Sequence, residues 1–150
     1  MTERYEAYER ACEEIRQHNA GLLSDFQEWL VQKGLSEKTV TRHVQNIDFY
    51  LNGFLLYEDP QEAAPGVYDV SRFLGFWFIR KALWASEASI RSNAASLKKF
   101  YGFMQERGLV TEESVRQLHE TIKEGLPDWL ARMRRYDDPT ITDPEEIWGW

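Results

Sequence analysis

SEASIRSNAASLKKFYGFMQERG, residues 86–108, decides the fold. Ile90, Ala94, Leu97, Tyr101 and Met104 recur at steps of four and three, the stripe that an α-helix lays against a core. Ser86 is placed to cap its start, Glu87 sits in the first turn where the helix dipole favours an anion, and Gly108 closes its end. Arg91 and Lys98 stand two turns apart on nearly one line, flanked by Ser92, Ser96 and Lys99. The small Ala95 and Gly102 beside them would let a partner's backbone come close.

The same periodicity covers most of the 150 residues. Residues 2–18 carry Tyr5, Tyr8, Cys12 and Ile15 at helical spacing and can run straight into the next helix. Ser24 with Gln27 has the form of a capping box ahead of Trp29 and Leu30, and Gly34 stops that segment. Ser36 restarts the chain, with Val40, Val44, Ile47, Leu51 and Phe54 as an apolar stripe and Thr39, Arg42, His43 and Asn46 on the opposite face. EDPQEAAPG, residues 58–66, reads as the one substantial loop, after which Asp69 is placed to cap a helix crowded with Phe73, Leu74, Trp77, Phe78 and Trp84. Beyond residue 108, Thr111 starts a helix through Val115, Leu118 and Ile122. That helix is expected to end at Gly125-Leu126-Pro127, with one more short helix through Trp129, Leu130 and Met133. No alternating strand pattern and no repeat appears. The expectation is an all-α, compact bundle of about six or seven helices, residues 1–135 forming a single domain and residues 136–150 an extended acidic, Trp-containing tail.

Charge is segregated along this chain. The net charge of −7 argues against a protein that coats nucleic acid indiscriminately, because phosphate neutralisation supplies most non-specific affinity. Residues 72–107, however, hold seven positive groups against only Glu87 and Glu106, while ten acidic groups face five basic ones from residue 108 onward. Cys12 stands alone, which leaves no internal disulfide and fits a reducing compartment. No basic-then-apolar leader and no membrane-length apolar run is present, so a cytoplasmic protein with no membrane partner is expected.

Enzyme signatures are missing. There is no Gly-rich phosphate loop, no Gly-flanked nucleophilic serine and no HExxH. His18, His43 and His119 lack metal-ligand spacing, and Glu13-Glu14 and Glu112-Glu113 read as solvated faces or dipole complements. The aromatics between Phe73 and Trp84 read as core more readily than as a ligand pocket. No catalytic residue, metal or cofactor is expected. What remains is the pair of polar faces on 36–56 and 86–107, whose Arg and Lys suit phosphates and whose Ser, Thr and Asn suit short directed hydrogen bonds.

Phe26, Trp29-Leu30, Lys33-Gly34-Leu35-Ser36, Thr39-Val40, His43, Ile47 and Phe49-Tyr50 resemble the opening of the core-binding domain of tyrosine recombinases and phage integrases. Ser89-Ile90, the run Ala95-Ser96-Leu97-Lys98-Lys99-Phe100-Tyr101, Phe103-Met104 and Gly108 resemble that domain's last major helix. The likeness covers roughly residues 22–110 and implies a SAM-like four-helix core that clamps one side of a DNA duplex. It implies double-stranded DNA as partner, contacted by Lys38, Thr39, Arg42 and His43 on the first helix and by Arg91, Ser92, Lys98 and Lys99 on the second. The family's catalytic domain, with its arginine, histidine, arginine and tyrosine constellation, has no counterpart after residue 110, and Tyr136 behind Arg132, Arg134 and Arg135 does not make one. The expected function is therefore a non-catalytic DNA-binding or recombination-associated accessory protein. The competing expectation is a protein-interaction or oligomerisation module, holding a partner or second copy through Ile147, Trp148 and Trp150 of the tail.

Overall fold

A computed structural model describes residues 2–140. Among these all regular structure is helical, with no strand, in five helices: α1 (Thr2–Gln32), α2 (Glu37–Asp48), α3 (residues 70–81), α4 (Glu87–Glu106) and α5 (Glu112–Asp137). The quoted stretch is the centre of the bundle, since α4 packs against α1, α2, α5 and the middle of α3. Its Leu97, Phe100, Tyr101 and Phe103 are buried, and Phe26 of α1 meets Phe100 edge to face at 5.2 Å.

Local chemistry sets most of the helix ends. Ser36 accepts the Thr39 N–H, Thr111 accepts that of Ser114, and Ser86 and Ser89 exchange side chain and backbone bonds in a reciprocal box. Gly34 and Gly108 close α1 and α4 at φ 84° and 71°, the left-handed conformation that glycine adopts at no steric cost. In both cases the next residue's N–H reaches back five residues, Leu35 to the Leu30 carbonyl and Leu109 to that of Met104.

Two expected breaks are absent, which is why five helices replace six or seven. Ser24 does not cap; α1 runs through it, because Cys12, Asn19, Leu22, Phe26 and Leu30 form one unbroken buried line that a break would throw out of phase. Likewise α5 runs through Pro127. The missing N–H and the ring cost a helix interior about 3 kcal/mol. Burial of Ile122 on one side of the proline and of Trp129, Leu130 and Met133 on the other outweighs this, at about 1.5–3 kcal/mol per side chain. Trp129 has a specific seat. A Cβ on Gly125 would stand 2.3 Å from its Cζ2, and one on Gly75 of α3 would stand 2.9 Å from its Nε1. The two glycines thus make the slot that locks α3 to α5.

Aromatic crowding opens the helices elsewhere. After Asp48 the helix continues as a π turn, Phe49–Phe54, with the Leu55 N–H bonding the Tyr50 carbonyl; a second π turn, Phe73–Trp77, forms the middle of α3. Asp69 occupies the cap position of α3, but its side chain makes no cap bond and instead accepts from Gln61 and lies 3.7 Å from Arg72. The Trp77 Nε1–H is buried without an acceptor among the described residues, at a cost of about 1–3 kcal/mol.

The loop after the first π turn is tied down from inside. Tyr101 donates to the Ala63 carbonyl at 2.7 Å and Tyr50 to that of Gly66 at 2.6 Å. Burial pushes both phenols well above their ordinary pKa, so they remain donors. Gly66 is required here, because a Cβ would meet Leu55 at 2.6 Å and the Tyr101 hydroxyl at 2.8 Å. No described helix is long and apolar enough to cross a membrane. Ile147, Trp148 and Trp150, the expected docking residues of the tail, lie outside the described residues.

Candidate nucleic-acid interface

The polar faces of α2 and α4 turn partly toward each other. His43 is 4% exposed, and its Nδ1 lies 2.7 Å from the Oγ of Ser96. Asn46 donates to Ser92 and Ser96, both at 3.0 Å, and Ser96 donates to the Ser92 carbonyl at 3.1 Å. Ser96 has one proton for two acceptors, the Ser92 carbonyl and the imidazole, so the direction of the His43 contact follows the tautomer. Burial is the main force holding the imidazole below its ordinary pKa, and the charges of Lys99 and Arg42 add to it.

This seam sorts the eight expected contact residues. His43 is a buried strut. Thr39 is half-buried and engaged in the α2 cap, its Oγ1 accepting from Ser36 at 2.9 Å. Ser92 is half-buried at the seam edge and accepts from Asn46; its own O–H has no acceptor among the described residues. Lys38, Arg42, Arg91 and Lys99 are exposed and Lys98 half-buried.

The cations form one strip. Arg42 and Arg91 both line a shallow groove between α2 and α4, together with His43, Asn46 and Ser92. Arg91 also borders a second groove, between α4 and α5, with Lys98, Lys99 and His119. No carboxylate lines either groove. Ala95 lines both, keeping the ridge between them low. At the other end Arg42 shares a depression with Lys38, Thr41 and Glu37. Among the described residues Lys38, Arg42, Arg91, Lys98 and Lys99 make no ion pair, whereas Arg16, Arg72, Arg107, Arg116 and Arg134 each have an acidic partner.

The sequence reading missed His119 as a member of this strip. Its signal was available: His119 follows Leu118 and precedes Ile122 of the buried α5 stripe, and so stands at the edge of the face that meets α4. Arg134, in the basic end of α5, bonds Glu87 of α4 at 3.0 Å. Among the described residues no three His, Cys, Asp or Glu side chains converge as a metal site requires. No family model, curated protein or solved structure matches the chain.

Proposed function

We propose that this chain is a non-catalytic protein that binds double-stranded DNA on a recombinase-type core-binding fold, as an accessory factor to recombination. Arg42, Arg91, Lys98 and Lys99 hold phosphates, Lys38 extends the contact, and the Ser92 hydroxyl donates from the groove. His43 and Thr39 position α2 rather than touch DNA. The observation that carries the reading is the strip of cations without internal partners, bordering two adjoining grooves that hold no carboxylate. Desolvating such groups is unfavourable unless an anion arrives, and an anionic rod lying along α4 supplies several at once.

The test is an anisotropy titration on duplex DNA at several salt concentrations. Each phosphate neutralised contributes about −0.9 to the slope of log K against log salt, so Arg91→Ala/Lys98→Ala should make the slope shallower by about 2 units. Absence of binding at low salt, or binding that the double change leaves intact, would overturn the reading. A protein-interaction role is the second reading, favoured by Leu83, which is fully exposed beside Trp84 at the turn before α4. Under it, truncation at Tyr136 or Leu83→Ser shifts the sedimentation coefficient or abolishes partner capture while DNA binding stays absent.

A further inference from the structure

Apart from that strip, and sharing no lining residue with it, a cavity of about 430 Å³ opens between α3 and the loop that follows the first π turn. Its size suits a small organic ligand. Both π turns contribute to it: Phe54 ends the first, while Phe76 and Trp77 belong to the second. Such turns are rare and recur at functional sites, because the widened backbone re-aims side chains that a regular helix would bury. Trp77 meets Phe54 at 5.3 Å and Tyr57 at 5.5 Å, both edge to face. It also carries the orphaned Nε1–H, a cost that phenylalanine would avoid if packing were the only demand.

Charge is arranged around this aromatic surface by sign. On the α3 side Arg72 lies 5.1 Å over the Phe54 ring and Lys81 5.3 Å over that of Tyr57, and Arg80 joins them in the lining. The loop side presents the exposed carboxylates Glu58 and Asp59, while Asp69 is taken up by Gln61 and Arg72. A polyanion is disfavoured by the two loop carboxylates, and a simple cation by α3. An aromatic body with opposite charges at its two ends satisfies both sides.

We propose that this cavity binds a small zwitterionic aromatic molecule of the amino-acid type, its anionic group toward Arg72 and Lys81 and its cationic group toward Glu58 and Asp59. The site is independent of the DNA reading and stands or falls separately from it.

The experiment uses the 15N-labelled full chain and follows the Trp77 indole N–H resonance, assigned by its loss in Trp77→Phe. L-tryptophan should shift it saturably. Tryptamine and indole-3-propionate, each lacking one charge, should bind about three- to fivefold more weakly, the scale of one exposed ion pair. Lys81→Gln and Glu58→Gln/Asp59→Asn change exposed positions, and circular dichroism checks their folding; each should weaken L-tryptophan by a similar factor. An unmoved resonance overturns the proposal. So does equal binding of either singly charged analogue, or undiminished binding by the charge variants.

Discussion

His43 and Ser96 join α2 to α4: the imidazole Nδ1 and the serine Oγ share a hydrogen bond of 2.7 Å, in a seam almost closed to solvent. Because Ser96 also accepts from Asn46, Ser96→Ala deprives both His43 and Asn46 of a partner at one stroke. The expected loss is about 1–3 kcal/mol in urea-induced unfolding. A change below about 0.5 kcal/mol, the scale of an ordinary surface substitution, would show that the seam carries no such weight.

The same histidine sets a pH dependence. Its folded pKa lies below the ordinary 6.5, so between the two values the unfolded chain binds more protons, and stability rises with pH there. Acidification from about pH 7.5 to pH 5.5 should therefore lower the urea midpoint, and His43→Gln, which keeps a side-chain donor, should flatten that part of the profile. An unchanged slope in the variant would assign the dependence to other groups.

Gly125 tests whether helix propensity or packing governs α5. Alanine in place of glycine gains about 1 kcal/mol in an isolated helix. Here the new Cβ would stand 2.3 Å from the Trp129 ring, whose far side is bounded by α3, and the ring cannot yield as a flexible chain end would. Gly125→Ala should thus destabilise, by about 1–3 kcal/mol, with a lower melting temperature. Pro127→Ala, by contrast, restores a helical N–H and should raise it.

The loop latch offers another check. Tyr101→Phe removes one of two donors to the Ala63 carbonyl, which keeps the Gly66 N–H, and should cost about 0.5–1.5 kcal/mol; Tyr50→Phe does the same to the Gly66 carbonyl, which keeps the Asp69 N–H. Both phenols serve one short segment, so the double variant should deviate measurably from additivity in a double-mutant cycle. Strict additivity would mean the two bonds act independently.

Features encoded within a few residues were legible in the sequence. Ser36, Ser86, Thr111, Gly34 and Gly108 end or begin helices where their local chemistry says they should. Ser24 and Pro127 misled because the same kind of local signal was overruled by a buried stripe continuing on both sides, a tertiary fact. Asp69 misled because Gln61, eight residues away, competes for its carboxylate. In the cationic strip, Arg42, Arg91 and Lys99 were legible as exposed charge. The division between seam and surface was not: His43 and Ser96 look like any other polar helix face until α2 and α4 are set in register.

The π turn in the middle of α3 carries core residues, Phe73, Leu74 and Gly75, beside cavity residues, Phe76 and Trp77. A turn closed by i→i+5 bonds holds one residue more than an α turn, with regular helix on either side. Deleting a single residue there, Phe76 for instance, converts it to α without displacing Val70 before it or Phe78 after it. One deletion would thus remove the Phe76 wall of the aromatic cavity and keep the bundle and its cationic strip in register, so the two surfaces can vary apart.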